Sequence, residues 1–376
     1  MNANTSRQNA AAWEEGAQLF DRTTRDLPPG RHQFHKERMM AQIHETRHAE
    51  HTATGANGAK GAKGANGATP AKTRRFRLAR PAFALPALAA TVAAAVVAVV
   101  VTSGGESSPG LATGPALTTT IGVASAEGAP RLLDEIALAA ADGKHPVAKP
   151  GQYIYIESKT ADTFVRTVDD KSSLASHALH TRQVWMSPDG TKGWLIDPAV
   201  NDSPEGETLS LPDEQGNTPR ADLNGPSYDY LAKLTTDPDT LLAKIYKETK
   251  GQGNTPDQQA FTTIGDLLGE SYPPAELYSA LFKTAAKIPG VVVVDDAVDA
   301  AGRHGVAVAR LDETSGQREE WIFDKKTHVY LGERIVQVKR VDGDDDLIKP
   351  GTIVFTSAIM KRAIVDGIKQ TPSHSG

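Results

Sequence analysis

His44-Glu45-Thr46-Arg47-His48 comes closest in this chain to a catalytic signature. On a helix, two imidazoles four residues apart share a face, and a glutamate between them can act as a base, as in H-E-x-x-H zinc peptidases. Such an enzyme also needs a third ligand and a water-excluding cleft. His51 is the nearest further imidazole, Gly55 ends the helix, and no globular core surrounds the segment. The reading is a solvated polar helix. No catalytic or metal role is assigned to it, and adventitious metal binding by the pair stays open.

The rest of the chain offers less. Its later histidines are His145, His177, His180, His304, His328 and His374, and only His177 and His180 are close. Read as one strand, that spacing puts them on opposite faces. Asp237-x-Asp239 could hold a metal-nucleotide, but an acid and a proline at a helix start explain it as a cap. Gly343-Asp344-Asp345-Asp346 reads as a solvated acidic turn, because a calcium loop needs its oxygens spaced along the chain. There is no G-x-S-x-G, no S-x-x-K and no cysteine, so thiolate zinc, disulfides and a cysteine nucleophile are excluded. No catalytic residue, metal or cofactor is expected, and no nucleic-acid partner. The residues that could line a ligand hollow are Tyr153, Tyr155, Trp185 and Trp194, provided that the sheet carrying them curves. Ordinary cross-strand pairing in a sheet core is the competing reading.

The elements that would position these aromatics can be traced. Leu132, Leu133, Ile136 and Ala140 give a helical face over 129–142. Lys149-Pro150-Gly151 then turns the chain into a strand over 152–158. Segments 181–186 and 192–196 flank Ser187-Pro188-Asp189-Gly190, a hairpin signal. Residues 197–227 read as a long loop, followed by helices over 240–249, 257–268 and 274–288. Strands are expected at 291–294, 303–311, 319–324, 329–341 and 352–360, with connections too short for parallel crossovers. The fold class expected is α+β, a curved antiparallel sheet packed with helices, open to a half-barrel form.

Pro81 to Thr102 is uncharged over 22 residues and directly follows the basic residues Lys72, Arg74, Arg75, Arg77 and Arg80. A helix of that length is about 33 Å long, enough to span a bilayer core. Nine of the 22 are Phe, Leu or Val, which favour insertion. Residues 1–80 carry a net charge of +7 and residues 103–376 a net of −12, so the N-terminus is expected in the cytoplasm and the larger part outside the cell membrane. The basic run begins too late for a secretory signal, and the small-residue triplet Ala124-Ser125-Ala126 lies too far past the apolar stretch, so the segment reads as an uncleaved single-pass anchor. The expected organisation is a cytoplasmic tail with one or two short helices (1–54), a low-complexity basic linker of Gly-Ala-x triplets (55–80), the transmembrane helix (81–102), a flexible stalk (103–126), an extracytoplasmic domain (127–368) and a disordered end (369–376). The basic flank would meet anionic lipid.

A resemblance accompanies this layout. Leu27-Pro28-Pro29-Gly30-Arg31, Pro150-Gly151-Gln152-Tyr153-Ile154-Tyr155, Ile264-Gly265-Asp266-Leu267-Leu268, Ile288-Pro289-Gly290-Val291, Gly302 to Val308, Ile322-Phe323-Asp324 and Leu331-Gly332-Glu333 are similar to an actinobacterial family of single-pass membrane proteins. Those proteins are often encoded beside sigma factors of the extracytoplasmic-function type. The resemblance implies an architecture and a regulatory setting, and no activity. The tail lacks the His-x-x-x-Cys-x-x-Cys pattern of zinc-binding anti-sigma factors. The expectation is a non-enzymatic membrane-anchored sensory protein whose tail meets a cytoplasmic protein partner. The alternatives are an envelope lipid or hydrophobic-ligand binder, like half-barrel lipoprotein carriers in element order, and an extracytoplasmic hydrolase without a recognisable motif.

Overall fold

The computed structural model describes residues 111–143, 147–168, 171–200, 203–213, 216–340 and 347–372. The H-E-x-x-H segment, the linker, the basic flank Lys72–Arg80, the apolar run 81–102, His145, His374 and Asp344–Asp346 lie outside them. Among the described residues, no helix is long and apolar enough to cross a membrane.

In chain order the elements are β1 (Thr113–Gly114), β2 (Ala124–Ser125), α1 (Ala129–Asp142), β3 (Tyr153–Val168), β4 (Lys171–His177), β5 (His180–Met186), β6 (Gly193–Ile196) and β7 (Glu207–Thr208). Then come α2 (Tyr228–Leu231), α3 (Pro238–Glu248), α4 (Pro256–Glu270) and α5 (Ala275–Ala285), and the strands β8 (Val291–Val298), β9 (His304–Asp312), β10 (Gln317–Phe323), β11 (Tyr330–Gln337) and β12 (Ile353–Val365). The fold is α+β. One open sheet runs in the order β2-β8-β9-β10-β11-β12-β3-β5-β6-β7, with β4 and β1 branching from β3. Every neighbouring pair is antiparallel, as short connections require.

Side-chain alternation decides what each face meets. On β10, Trp321 and Phe323 point to the helices, and Arg318, Glu320 and Ile322 to the opposite face. The helix-side core joins them to Leu133 and Ile136 of α1, Leu241 and Ile245 of α3, Phe261, Ile264 and Leu268 of α4, and Leu281 and Phe282 of α5. In α1, α3 and α4 these fall at three- and four-residue spacing. The helix starts follow from their first residues: Thr255 accepts from the Gln258 amide, and Pro256 fills a position whose N–H would have no partner.

Gly265 permits the close approach of α4 to the sheet. A Cβ there would stand 2.5 Å from Trp321 Nε1 and 2.7 Å from Glu319 Oε1. The α4 C-terminus is held from the sheet. Arg362 of β12 donates to the carbonyls of Leu268 and of Gly269, the latter at 3.2 Å, and to Tyr278 Oη at 3.3 Å. A cation on the last carbonyls of a helix also opposes its dipole. Arg362→Met is therefore expected to lower unfolding free energy by about 1.5–3 kcal/mol, the range for hydrogen bonds to a charged group. Urea denaturation of the two full-length chains would measure it.

The stalk expectation does not hold from residue 111 on. Residues 111–126 form a strap across the sheet face opposite the helices. β1 pairs with β4 at Ser176 and His177, and Ser176 Oγ donates to Pro115 O at 2.7 Å. Ile353 N donates to Leu117 O at 2.9 Å and Thr119 N to Gly351 O at 2.7 Å. β2 closes the far edge against β8. Beneath the strap lies a buried ionic group. Glu320 accepts from Arg318 Nε at 2.7 Å through one oxygen and from Arg334 Nε at 2.7 Å through the other. The two guanidiniums then reach the strap: Arg318 Nη2 to Gly122 O at 3.1 Å, Arg334 Nη1 to Thr119 Oγ1 at 3.2 Å.

Candidate functional site

The four predicted aromatics do converge. In register, Tyr155 faces Trp185 and Trp185 faces Trp194. Tyr155 and Trp185 lie 5.0 Å apart between ring centroids, both fully buried, with Tyr153 and Trp194 packed beside them. The chain itself covers them. Val365 and Ile368 join the cluster, and the Trp185 indole N–H donates to Gln370 O at 2.6 Å. The Lys369 ammonium sits 4.3 Å from the Trp194 ring centroid. Lys369 and Gln370, read as part of a disordered end, thus lie against the domain, and the four aromatics stand in the sheet beneath them. Deeper in, Tyr155 Oη donates to Glu157 Oε2, and Gln183 donates to Tyr155 Oη at 2.7 Å. Burial, then the Glu157 carboxylate, holds the phenol well above its ordinary range.

The remaining candidates separate plainly. Asp237 caps α3, accepting from the Thr240 amide at 2.9 Å, and does not face Asp239 in a metal pair. His304 is exposed beside Asp296. A groove of about 340 Å³ near Tyr230 is lined by Asp222, Asn224, Lys244 and Glu248, but Lys244 and Glu248 already pair with each other. Among the described residues no group of three or more His, Asp or Glu is placed to hold a metal ion.

His177 and His180 are different. β4 ends at His177 and β5 begins at His180, both pair antiparallel with β3, and the register along β3 slips by one residue at Ala178-Leu179 between them. Each finds its own carboxylate. His177 Nδ1 lies 2.7 Å from Asp162 Oδ1 of β3, and His180 Nε2 lies 3.0 Å from Asp197 Oδ1, just past β6. His180 and Asp197 are both buried. The His180 contact is an ion pair whose N–H direction is not that of a straight hydrogen bond. The other ring nitrogen, Nδ1, lies 2.9 Å from Ala178 O. Arg182 Nε stands 3.5 Å from the second Asp197 oxygen. Burial works against a charged imidazole here, but the Asp197 carboxylate and the Ala178 carbonyl outweigh it, and the His180 pKa stands above its ordinary value. Burial likewise opposes the Asp197 charge, and His180 and Arg182 outweigh it, so that carboxyl is held below its usual range.

This corner is also where the strap docks. The Ala178 N–H donates to Ala112 O at 2.8 Å, next to the β1–β4 pairing at His177. Alternation within one imagined strand hid it. The dipeptide between two short polar runs was the only local signal, and Asp162 and Asp197 arrive through the fold.

Compared with known proteins, the chain matches no family profile and no curated sequence.

Proposed function

We propose that the protein is a single-pass, membrane-anchored sensor without enzymatic activity. Its C-terminal domain lies outside the cell membrane, and its N-terminal tail meets a cytoplasmic protein partner. A link to an extracytoplasmic-function sigma factor belongs to the same proposal. One observation carries it: the segment that follows the apolar run is built into the domain. Eight residues lie between Thr102 and Leu111, a reach of at most about 30 Å. From Leu111 the strap is fastened at β4, at Gly351–Ile353, at the buried Arg318–Glu320–Arg334 group and at β8. A domain hung on loose chain would transmit nothing to its anchor. Here a change of packing on the sheet face bears on the strap, whose first described residue, Leu111, lies a few residues beyond Thr102. The alternative of a half-barrel carrier for lipid or another hydrophobic ligand finds less support, because Ile368 and Gln370 cover the aromatic cluster.

Reporter fusions and a deletion test the reading together. Alkaline phosphatase fused after Gly376 is expected to be active in whole cells and inactive when fused before Met1. Deleting residues 1–70 is expected to abolish the transcriptional response to envelope stress while leaving the domain folded and membrane-bound. A deleted chain that restores the full response would reduce the tail to an anchor and overturn the proposal.

A further inference from the structure

The His180 ring sits between two groups that can only accept hydrogen bonds. Nδ1 faces the Ala178 carbonyl at 2.9 Å and Nε2 faces the Asp197 carboxylate at 3.0 Å. A neutral imidazole has one N–H and one lone pair, so in either tautomer a lone pair faces one of these oxygens; the doubly protonated ring donates to the carbonyl and sets its charge against the carboxylate, a contact that is an ion pair and not a straight hydrogen bond. The geometry itself therefore calls for imidazolium. Ala178 is in turn the residue whose N–H holds the strap through Ala112 O.

We propose that His180 is a proton-operated latch on the strap: charged, it clamps the Ala178 corner to which residues 112–117 are fastened, and uncharged, it lets that corner and the strap's leading end go. The charges facing the ring come from every neighbouring element: Asp197 beyond β6, Arg182 on its own strand, Asp162 from β3 and, paired to Asp162, His177 from β4. When the proton leaves, the ring keeps one N–H, and in either tautomer a lone pair faces the Asp197 carboxylate or the Ala178 carbonyl, so the buried ring can no longer hold both. Arg182 still balances Asp197, so the loss falls on the Ala178 corner and the buried acid keeps a partner. The sign follows from the raised pKa of the folded state. The clamp is fully present below about pH 6.5, the unfolded value, and is lost as pH rises through the folded value. The latch deepens the sensor reading by naming its signal, a fall in external proton concentration, and rests on that reading only for its consequence in the cell.

Hydrogen exchange on the full-length chain tests it, with protection factors corrected for the intrinsic pH dependence of exchange. Peptides covering 111–122 and 174–180 are expected to lose protection severalfold between pH 5.5 and 8.5, in the direction set by the raised His180 pKa. Peptides covering 317–323 should hold theirs throughout. His180→Gln should lack the pH step and be loose at both values, and His177→Gln should keep it. A strap whose protection ignores pH in the wild type, or a step that survives His180→Gln, overturns the latch. Should His180→Gln fail to fold, the wild type and His177→Gln decide. A step common to both, with its midpoint above 6.5, upholds the latch; no step, or one lost with His177, sinks it. If the strap loosens on schedule and the stress response ignores pH, the latch stands and the coupling to the tail falls.

Discussion

Glu320→Ala is expected to lower the unfolding free energy of the chain by about 3–5 kcal/mol, the cost of leaving a buried charge without its partner. Glu320 is fully buried, and its two oxygens are shared between Arg318 and Arg334, themselves buried in the sheet. Removing the carboxylate leaves two guanidiniums side by side in low dielectric, with Gly122 O and Thr119 Oγ1 as their named remaining acceptors. Those acceptors belong to the strap, so the damage should not stay local. Exchange protection over 119–125 should fall with global stability. Replacing all three residues by leucine or methionine should be near neutral, since desolvation of a buried ionic group offsets most of its attraction. Urea denaturation of the two variants beside the wild type distinguishes the cases. A single substitution that costs under about 1 kcal/mol would mean that the group is wet.

Trp321→Ala is expected to cost a similar amount, about 3–5 kcal/mol, through a different mechanism. Trp321 is fully buried and stacks on Phe261 of α4 with ring centroids 3.8 Å apart. Its indole N–H donates to Glu319 Oε1 at 3.1 Å, and the other Glu319 oxygen accepts from Thr262 Oγ1 at 2.6 Å and Gln258 Nε2 at 3.2 Å. Truncation opens a cavity where α4 meets the sheet and removes one donor from a buried carboxylate. Trp321→Phe separates the two parts. It keeps a ring against Phe261 and should cost about 1–3 kcal/mol, the penalty for a buried acceptor left short of a partner. Equal losses for the two variants, read from thermal and urea unfolding, would argue that the polar contact dominates.

Much of this architecture could be read before folding. Pro and acid at a helix start located α3, and Ser187-Pro188-Asp189-Gly190 located the β5–β6 hairpin with Trp185 opposite Trp194. These signals are local. What escaped was held by backbone or by distant partners. The strap is rich in Gly, Thr and Pro, a linker's composition, yet it binds through carbonyls such as Ala112, Leu117 and Gly122 that every sequence carries. β4, Lys-Ser-Ser-Leu-Ala-Ser-His, has little β propensity and pairs only because β3 runs on past β5. The aromatic quartet was placed on one face correctly. That Val365 and Gln370 would cover it depended on β12 arriving alongside β3. His180 shows the same limit: its two acceptors come from the register slip between β4 and β5 and from beyond β6, and no spacing rule joins them.

The position of β12 has one more consequence. It lies between β11 and β3 in the middle of the sheet, although it is the last strand in the chain, and Gln152 and Asp366 touch across 214 residues of sequence. A nascent domain emerging from its N-terminal end must therefore wait, with β3 and β11 both bare along one side, until the final strand is delivered. Such unpaired edges invite association with other chains. Contacts this remote in sequence also form slowly. Synthesis halted before β12 would leave the sheet in two unjoined parts, one ending at β11 and the other at β3.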